Sequence, residues 1–544
     1  MAPLVECVPN FSEGRDPAVI RQITDSIETS PGVRLLNVDP GIATNRTVVT
    51  FVGPPEAVIE AAFRAIRTAG EVIDMRTHRG EHPRMGATDV CPLIPVSGIT
   101  MEDTVACARR LAERVGRELQ IPVYLYEAAQ PDKARSNLAV IRAGEYEGLA
   151  RKIALPEWRP DFGPATFNPR SGATVIGARD FLVAYNVNLN TTSTRRSNAI
   201  AFDVREAGRT IDGVVHPGTL KAVKAIGWYI PEYGGAQVSM NLTNLGVTPL
   251  HAAFDEVCRA AQQRGVRVTG SELVGLVPLK CLLDAGRYFL EKQQRSVGVS
   301  ERELVRIAVR SMGLNELAPF KPEERVIEYL LKDPAESRLV GMSLADFVDE
   351  TASESPAPGG GSIAAYAGAL GAALGTMVAN LSSHKRGWDD RWKEFSDHAE
   401  RGQGYVRELL ALVDEDTRAF SEVMASFALP RSTDEEKAQR KAAVQAATRR
   451  ATEVPFRVME SALASMEVIK AMAELGQETS VSDAGVGALC ARSAVMGAYL
   501  NVRINAKQLT DQAFASDIVS RGAEIERRAQ AAEAAILATV NQRI

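Results

Sequence analysis

The chain has 544 residues, of which 45% are hydrophobic and 24% are charged, and its formal net charge is −5. One hydrophobic core stops growing near roughly 250 to 300 residues, so a chain of this length is expected to form about three domains. This composition excludes a disordered chain, and a small net charge without a long Lys or Arg block excludes nucleic acid as a partner.

The six cysteines are scattered, and none belongs to a Cys-x-x-Cys pair. The sequence therefore predicts neither a disulfide framework nor a zinc site, and we expect a reducing, cytoplasmic location. The first twenty residues lack a basic start followed by an apolar run, so we expect no secretory signal. The most apolar window, residues 362–381, is rich in Ala and Gly, and we interpret it as a buried helix rather than a membrane span.

The first two thirds of the chain alternate between strand and helix patterns. Residues 46–53 are rich in β-branched and aromatic residues, and residues 54–73 follow with helical periodicity and an opening proline. A second unit of this type comprises a hairpin at 227–244 with a Gly-Gly turn, a helix at 249–265 and a strand at 266–272. This alternation predicts two α/β sandwich subdomains in tandem.

The last third of the chain is predicted to be an all-helical bundle. Only Pro430 and Pro455 follow Pro358 among the 27 prolines, and a proline in a helix interior costs about 3 kcal/mol. Ser343 and Asp346 have the spacing of a helix start after a short polar segment. The predicted fold is therefore α/β plus all-α. Its boundaries are 1–181 for the first α/β subdomain, 182–331 for the second, 332–342 for a linker and 343–544 for the helical domain.

Three segments place polar side chains where a hydrophobic core does not need them. They are residues 7–15, 39–47 and 77–90, and the first directly follows an apolar strand. Loops at strand ends often carry binding residues, so we expect these three to converge on one site. Their candidate substrate-binding residues are Asn10, Asp39, Asn45, Glu81, Arg84 and Asp89.

The segment 77–90 also contains two of the six histidines of the chain. An imidazole has an unperturbed pKa of about 6.5, so it can take and give a proton near neutral pH. Glu81 or Asp89 would orient the ring of His82, and Arg84 would hold a substrate carboxylate. A structural or surface histidine is the alternative. Glycine and proline interrupt any helical zinc-binding pattern here, and we predict no metal site.

Residues 161–181 form a segment with several glycines and two prolines around Phe167. Glycine allows close backbone approach to a ligand, and an aromatic ring supplies a stacking face. A loop that wraps a flat heterocycle is therefore one interpretation, and an interdomain linker is the other.

Two patterns in the helical third suggest a second site. Three glycines, Gly359–Gly361, and Ser362 precede an Ala-rich helix, and their N–H groups would face an anion. The alternative is a flexible helix cap, and the ending of a nucleotide-binding P-loop is absent. Asp414 and Asp416 lie in a helical pattern and point about 200° apart. A buried carboxyl there would have a raised pKa and could donate a proton, whereas a solvated helix face is the alternative. The helix at 482–511 carries three polar residues that need partners, Asn501, Arg503 and Asn505.

Seven motifs occur in an order that identifies a family. They are VECVPNFSEGR, TNRTVVTFVGPPE, GEHPRMGATDVCP, DFGP, ELVGLVPLK, APGGGS and GAYLNVRIN. Together they resemble the formimidoyltransferase-cyclodeaminase family over essentially the whole chain. The resemblance implies a transferase part of two α/β subdomains, a short linker and a helical cyclodeaminase part.

The resemblance also implies roles for particular residues. His82 corresponds to the catalytic histidine of the transferase, and Asp416 corresponds to the catalytic aspartate of the cyclodeaminase, with Asp414 as the open alternative. The implied folate-binding loop is Gly163, Pro164, Ala165, Thr166, Phe167, Asn168, Pro169, Arg170, Ser171 and Gly172. Candidate pocket residues of the second site are Gly359, Gly360, Gly361, Ser362, Asn501, Arg503 and Asn505.

The activity implied by the resemblance is bifunctional and belongs to histidine degradation. The formimino group of N-formimidoyl-L-glutamate would move to N5 of tetrahydrofolate, a polyglutamylated co-substrate. The product would then cyclise to 5,10-methenyltetrahydrofolate with release of ammonia. The family also implies a homo-oligomer, a ring of dimers. The alternative is that only the transferase half is active, the helical half being a cyclohydrolase or an oligomerisation or scaffold domain.

Overall fold

The computed structural model describes residues 3–42, 44–80, 83–331 and 338–544. Contacts divide the chain into two compact units, Met1–Cys281 with Met312–Leu331 and Leu282–Ser311 with Lys332–Ile544. The first unit combines sheets and helices and the second is helical, which confirms the predicted fold class. The boundaries predicted at 181, 331 and 342 remain a prediction.

The described strands all lie in the first unit. They are β1 (Leu4–Cys7), β2 (Asn10–Phe11), β3 (Arg34–Gly41), β4 (Arg46–Gly53), β5 (Thr88–Ser97), β6 (Val123–Glu127), β7 (Thr174–Ala178), β8 (Val183–Leu189), β9 (Arg209–Ile211), β10 (Val214–His216), β11 (Val223–Ile230), β12 (Gly235–Leu242) and β13 (Val268–Val274).

The described α-helices are distributed over both units. They are α1 (Pro17–Glu28), α2 (Pro55–Val72), α3 (Met101–Glu118), α4 (Leu138–Arg142), α5 (Glu145–Lys152), α6 (Thr194–Val204), α7 (Leu250–Gln262), α8 (Leu279–Lys292), α9 (Glu301–Ser311), α10 (Pro322–Arg325), α11 (Ile327–Leu331), α12 (Leu344–Ala352), α13 (Gly360–Ser383), α14 (Trp392–Phe427), α15 (Asp434–Leu475), α16 (Val481–Ala506) and α17 (Gln512–Arg543).

Seven strands of the first unit form one mixed sheet. In this sheet β4 pairs with β3 on one side and with β1 and β2 on the other, and β5 continues the sheet to β7 and β6. The pairs of β4 are antiparallel, whereas β7 is parallel to both β5 and β6. Apolar residues of α1, α2 and α3 join the strands in one core cluster, which includes Ile27, Ile66 and Leu111. The strand and helix predicted at 46–53 and 54–73 are confirmed as β4 and α2.

The pairing of β2 brings the predicted polar segments together. Asn10 in β2 lies opposite residues of both β4 and β5. Arg46 begins β4, and Asp89 is the second residue of β5. The three segments that were expected to converge therefore do so at this end of the sheet.

A second, antiparallel sheet has the strand order β11, β12, β8 and β13. Alternation along β8 buries Tyr185 and Val187 completely, and α6 and α7 pack against the sheet. The hairpin predicted at 227–244 forms between β11 and β12, with Ile230 opposite Gly235. The helix predicted at 249–265 is α7.

The second unit is built mainly from five long helices, α13 to α17. Small residues let them approach closely: Ala365 and Ala372 of α13 and Ala488 and Ala491 of α16 are almost fully buried. The apolar window 362–381 forms most of α13, as predicted. By length and composition alone, α13 is the one helix of the described residues that could cross a membrane, and 61% of its most apolar window is buried within the protein.

Pro455 lies inside α15, although prolines were expected to avoid helix interiors. A proline at this position cannot donate a hydrogen bond to the carbonyl four residues earlier, which belongs to Ala451. Nδ2 of Asn505 donates to that oxygen at 2.7 Å. The side chain of Asn505 therefore satisfies the acceptor that Pro455 leaves unpaired, which reduces the cost of the proline and joins α16 to α15.

Replacing Gly172 by alanine should destabilise the first unit by about 2 kcal/mol or more. Gly172 has a φ of 67°, and an added methyl group would collide with the carbonyl oxygen of Met85. Calorimetric unfolding of Gly172→Ala measures the loss.

The matched control is Gly148→Ala, at a glycine within α5. Apart from its chain neighbours and the backbone of α5 itself, no atom of the described residues lies within 4 Å of the methyl group added there. Helix propensity alone then predicts a gain of about 0.5–1 kcal/mol. Equal unfolding temperatures for the two variants would contradict the steric argument.

Candidate functional site

The polar end of the first sheet is organised around the carboxylate of Asp89, which is 1% exposed. It accepts the N–H of Met85 at 3.0 Å and the guanidinium groups of Arg46 at 3.0 Å and Arg142 at 2.5 Å. Nε of Arg46 also donates to Oδ1 of Asn10 at 2.9 Å. One buried carboxylate therefore joins β2, β4, β5 and α4.

Asn45 connects all three of the converging segments. Its φ of 47° is left-handed, which asparagine tolerates better than most residues. Its side chain accepts the N–H of Gly14 at 3.0 Å and donates to the carbonyl of Arg79 at 2.9 Å. The amide of this predicted site residue therefore binds the backbone of its two neighbouring segments.

His78 has both ring nitrogens engaged. Its Nε2 lies 2.9 Å from the backbone carbonyl oxygen of Asn45. A carbonyl only accepts, so Nε2 carries the hydrogen. Its Nδ1 accepts from Nε of Arg84 at 3.2 Å. Burial, with a contribution from the charge of Arg84, holds the pKa of His78 below its usual value, although the hydrogen bond to Asn45 raises it. His78 is therefore a neutral ring that positions its neighbours.

Arg84 lies between His78 and two exposed carboxylates of α5. Its Nη1 and Nη2 donate to Glu147 at 2.8 and 2.7 Å, and Nη1 also donates to Glu145 at 3.1 Å. These residues, with Arg79, Gly80 and Gly144, line a cavity of about 440 Å³. Because Arg84 already binds protein carboxylates, its expected grip on a substrate carboxylate stays a prediction.

The segment 163–172 lies against this cluster. The hydroxyl of Tyr146 donates to the carbonyl of Pro169, and the N–H of Tyr146 donates to the carbonyl of Arg84 at 2.8 Å. The rings of Tyr146 and Phe167 have their centroids 5.4 Å apart. Phe167 of this segment and Tyr146 of α5 therefore form a half-exposed aromatic pair beside the polar cluster. Such a pair offers a surface for stacking.

The remaining members of the segment 163–172 have structural contacts or open surface. Asn168 accepts the N–H groups of Arg170 and Ser171 through Oδ1, and Arg170 donates to the carbonyls of Gly70 and Glu71. The exposed members are Gly163, Ala165, Thr166, Pro169 and Arg170, the partly buried ones are Pro164, Phe167 and Asn168, and the buried ones are Ser171 and Gly172.

The other predicted residues of the first site are Asp39, Glu81 and His82. Asp39 is exposed on β3, and among the described residues it has no hydrogen bond or ion pair to the cluster around Asp89. Glu81 and His82 lie outside the described residues. The proposed proton transfer by His82 thus remains a prediction from the sequence.

In the second unit, Asp416 of α14 lies against the first turn of α13. The hydroxyl of Ser362 is 3.1 Å from Oδ2 of Asp416 and 2.9 Å from the carbonyl of Val413. A methyl group at Gly361 would overlap the Asp416 carboxyl. The glycine run therefore permits close approach of a protein carboxyl to the helix start.

Burial raises the pKa of the Asp416 carboxyl above its ordinary value, although hydrogen bonds from the hydroxyl and the N–H of Ser362 lower it. Burial disfavours the charged form because water no longer solvates it. The structure thus places a carboxyl that keeps its proton to a higher pH than a solvated aspartate next to a helix N-terminus.

Asp414 points to a different neighbour. It is 7% exposed, and its oxygens accept the N–H groups of Leu339 at 2.8 Å and Val340 at 3.3 Å. Both aspartates are thus at least partly buried, although they point about 200° apart on the helix. Asp414 binds the backbone of Leu339 and Val340, whereas Asp416 lies against the first turn of α13.

The polar residues of α16 separate in the same way. Asn501 faces the start of α13, since a methyl group at Gly360 would lie 3.3 Å from its Nδ2, whereas Gly359 is the N-cap of that helix. Arg503 is exposed and lies over the ring of Tyr499 at 5.5 Å. Asn505 is bonded to the backbone beside Pro455. Of the three residues, Asn501 is therefore the one that lies next to the glycines at the start of α13, which Asp416 also approaches.

Sequence reasoning missed four residues of the first site. They are Arg142, Glu145, Tyr146 and Glu147, on the short helices α4 and α5. The only signal was a glycine before two glutamates, which marks a helix start. Nothing in that pattern connects these helices to Arg84 or Asp89.

The described residues contain no group of three or more His, Cys, Asp or Glu side chains arranged to hold a metal ion. The donors at the first site are guanidinium, amide and hydroxyl groups. Such groups bind anions and polar heterocycles.

Three family models match the chain. The N-terminal subdomain of the formiminotransferase domain matches residues 4–179, and the formiminotransferase domain matches residues 184–332. The model described as formiminotransferase-cyclodeaminase matches residues 343–524. Together these matches extend over both units.

Curated relatives match the whole chain and parts of it. The formimidoyltransferase-cyclodeaminase of Rattus norvegicus is 45% identical over 544 residues, which is 100% of both chains. The glutamate formimidoyltransferase of Streptococcus pyogenes is 43% identical over 54% of this chain and 94% of its own. The methenyltetrahydrofolate cyclohydrolase of Methylorubrum extorquens is 39% identical over 32% of this chain and 84% of its own.

His78 should titrate below its ordinary pKa of about 6.5. Because the pKa of His78 is lower in the folded chain, the unfolded chain binds more protons near pH 6.5. The contribution of His78 to stability is therefore present above about pH 6.5 and is lost as the pH falls. Proton NMR of the ring and unfolding at several pH values measure both effects. In His78→Gln this acid loss should be weaker, and an unchanged acid loss would contradict the assignment.

Proposed function

The chain belongs to the formimidoyltransferase-cyclodeaminase family, and we propose on that basis that it is a bifunctional, folate-dependent enzyme. Its first unit would transfer the formimino group of N-formimidoyl-L-glutamate to N5 of tetrahydrofolate. Its helical unit would cyclise 5-formimidoyltetrahydrofolate to 5,10-methenyltetrahydrofolate and release ammonia.

The transfer step exchanges one carbon–nitrogen bond for another. N5 of tetrahydrofolate bonds to the amidine carbon, the proton on N5 passes to the glutamate nitrogen, and the bond from carbon to that nitrogen breaks. His82 is proposed to carry this proton, because an imidazole both accepts and donates near neutral pH. His78 has no ring nitrogen open for this role, since both are hydrogen bonded.

The folate is proposed to bind along residues 163–172. Support comes from the aromatic pair of Tyr146 and Phe167 beside a cavity of about 440 Å³. A pterin is flat and presents polar edges, so it would stack on such rings and bond to nearby polar groups. Asn10, Asn45 and Asp89 act in this proposal as the frame of the site rather than as groups that react.

The cyclisation step also needs a proton relay. With the formimidoyl group as an amidinium, N10 bonds to its carbon, the N10 proton passes to the leaving nitrogen, and ammonia departs. Asp416 in its protonated form would donate to the leaving nitrogen and recover the proton from N10. The raised pKa of Asp416 beside the first turn of α13 is the observation that carries this half of the proposal.

A cyclohydrolase activity of the helical unit is the second candidate. It is favoured by the similarity to a methenyltetrahydrofolate cyclohydrolase. The two activities differ in what they release or consume: the cyclodeaminase forms ammonia, whereas a cyclohydrolase adds water to the methenyl product. Simultaneous measurement of ammonia and of methenyltetrahydrofolate absorbance distinguishes them.

The remaining parts of the proposal concern the environment and the form of the folate. A cytoplasmic location is supported by six cysteines that are all free thiols. A polyglutamylated folate is supported by a cavity of about 340 Å³ in the helical unit. Its cationic lining residues are Arg431, Lys437, Arg440 and Lys441.

Replacing Asp416 by asparagine should lower the rate of ammonia release by about 100-fold or more and leave the transferase rate unchanged. An amide keeps the shape and polarity but cannot donate the proton. Because the protonated form is required, the wild-type ammonia rate should fall as the pH rises through the raised pKa of Asp416.

The control is Asp414→Asn, two residues away, which replaces one of two buried acceptor oxygens by an NH2 donor. It should lower the unfolding temperature by loosening Leu339 and Val340, while ammonia release per folded molecule stays within about twofold of wild type. Reversed results for the two variants would reassign the proton donor to Asp414.

A homo-oligomer, arranged as a ring of dimers, is also proposed. Its support is a stripe of exposed apolar residues along one face of α13 and another along one face of α16, helices that pack together. The stripes are Ile363, Leu370, Met377 and Leu381 on α13, and Val486, Leu489, Leu500 and Ile504 on α16.

A double variant, Leu500→Glu with Ile504→Glu, should reduce the mass measured by sedimentation. These side chains are 63% and 59% exposed in the single chain, so charges there would be tolerated by a monomer but not inside an interface. Leu344→Glu, at a residue that is 72% exposed, is the control. An unchanged mass for the double variant would exclude this face as the contact.

A further inference from the structure

The apolar face of α14 continues past the start of α13, the helix that covers it. The two helices run antiparallel. A methyl group at Gly368 would lie 3.2 Å from Cδ2 of Leu409. A methyl group at Gly361 would overlap the carboxyl of Asp416, which is further along α14. Because α13 begins at Gly360, it packs along α14 up to Asp416 and does not extend beyond it.

Three large apolar side chains of α14 follow Asp416 on this face. They are Phe420, Met424 and Phe427, and they lie within about 80° of Asp416 around the helix. Leu409 has the same orientation before Asp416 and is fully buried. The three later side chains are 39%, 54% and 45% exposed. A face that belongs to the core before Asp416 is therefore open to a ligand after it.

Two other helices also continue past the start of α13. In α16, Nδ2 of Asn501 would lie 3.3 Å from a methyl group at Gly360, and Asn505 follows one turn later. Nδ2 of Asn505 donates to the carbonyl of Ala451 in α15 at 2.7 Å. The space that a longer α13 would fill is therefore bounded by α14, α15 and α16, and it forms a groove along the apolar face of α14.

The far end of this groove is cationic. Phe427, the last of the three apolar side chains, also lines the cavity of about 340 Å³ that contains two arginines and two lysines. The guanidinium carbon of Arg440, one of these arginines, lies 5.6 Å from the ring centroid of Phe427. Along α14, the order of groups is therefore the carboxyl of Asp416, an apolar surface and then cations.

The folate has its own groups in the same order. N10, from which Asp416 is proposed to take a proton, is bonded directly to the p-aminobenzoyl ring. The glutamyl tail with its carboxylates is attached to the opposite end of that ring. When N10 is beside Asp416, the ring therefore lies close to it as well. Phe420 and Met424 are about 6 and 12 Å from Asp416 along the axis of α14, within reach of the ring.

We propose that Phe420 and Met424 bind the p-aminobenzoyl ring of the folate at the cyclodeaminase site. The inference rests on the proposed function. An aromatic ring and a thioether both form favourable contacts with an aryl ring. The glutamyl tail then points along the groove towards the cations, which begin near Phe427, about 16 Å from Asp416 along α14. Phe420 and Met424 determine affinity for the folate and take no part in proton transfer.

Phe420→Ala tests the proposal in the full chain, with 5-formimidoyltetrahydrofolate monoglutamate supplied directly as the substrate. The KM for ammonia release should rise by about 10-fold, the effect of losing one large apolar contact with the ligand. The kcat should stay within about twofold, because the contact is equal in the ground state and the transition state. Phe420→Leu, which keeps an apolar side chain, should recover most of the affinity. The transferase KM for tetrahydrofolate should not change in either variant.

Leu475→Ala is the matched control. Leu475 is the last residue of α15 and is 40% exposed, close to the 39% of Phe420. It lies near the other end of α13, since a methyl group at the next residue, Gly476, would lie 2.7 Å from Val378. The variant removes a similar apolar side chain from the same unit, far from Asp416. It should leave the KM for ammonia release unchanged.

Photolabelling with 4-azidobenzoyl-glutamate provides a readout without turnover, since this probe has the ring and the tail of the folate but no one-carbon group. The probe should label the tryptic peptide 419–431, which contains Phe420, Met424 and Phe427. An excess of tetrahydrofolate should block the labelling, and Phe420→Ala should reduce it. If the wild-type peptide is labelled in this manner but the protein releases no ammonia, the proposed function fails while the ring site stands.

Three results would overturn the proposal. An unchanged KM in Phe420→Ala, or equal changes in Phe420→Ala and Leu475→Ala, would show that the apolar face does not contact the folate. Labelling of other peptides alone would place the ring elsewhere. A lower sedimentation mass of Phe420→Ala would assign the face to contact with a second copy of the chain.

Discussion

The first unit depends on the hydrogen bonds that surround the buried carboxylate of Asp89. It accepts hydrogen bonds from the backbone of Met85 and from two arginines, and these donors come from different elements. A buried carboxylate is costly unless donors surround it, so the elements that supply them are fixed relative to one another. The converging loops therefore have one arrangement, and the half-exposed aromatic pair beside them gains a fixed position.

The same criterion separates the aspartates of the helical unit. Asp414 accepts two backbone N–H groups, which solvate its charge in place of water. Asp416 accepts from a single residue, Ser362, whose hydroxyl also lies within reach of Val413. A hydroxyl has one hydrogen, so it cannot serve both oxygens at once. The two carboxyls lie less than one helical turn apart, but only Asp414 is bound by the N–H groups of two different residues, and burial raises the pKa of Asp416.

The sequence predicted β4, α2, the hairpin of β11 and β12, and the polar segments that meet at the first site. The contacts that it did not predict were missed for physical reasons. Strand patterns place Asn10, Arg46 and Asp89 at strand ends, so their convergence follows from the topology of one sheet. Helical phase gives the angle between Asp414 and Asp416 but not the identity of their neighbours, which are distant in sequence. The partnership of Asn505 with the backbone beside Pro455 is likewise visible only when α15 and α16 are packed.

The glycines before α13 show how two opposing effects can share one carboxyl. Without a side chain at Gly361, Asp416 approaches the first turn of the helix, where N–H groups and the helix dipole favour a negative charge. Burial at the same point favours the neutral form, and it is the larger effect. Opposition of this kind suits the proton relay proposed for Asp416, in which one group gives a proton to the leaving nitrogen and takes one from N10. A solvated aspartate lacks the burial that raises the pKa of Asp416, and a buried aspartate away from the helix start lacks the hydrogen bonds from Ser362 that lower it.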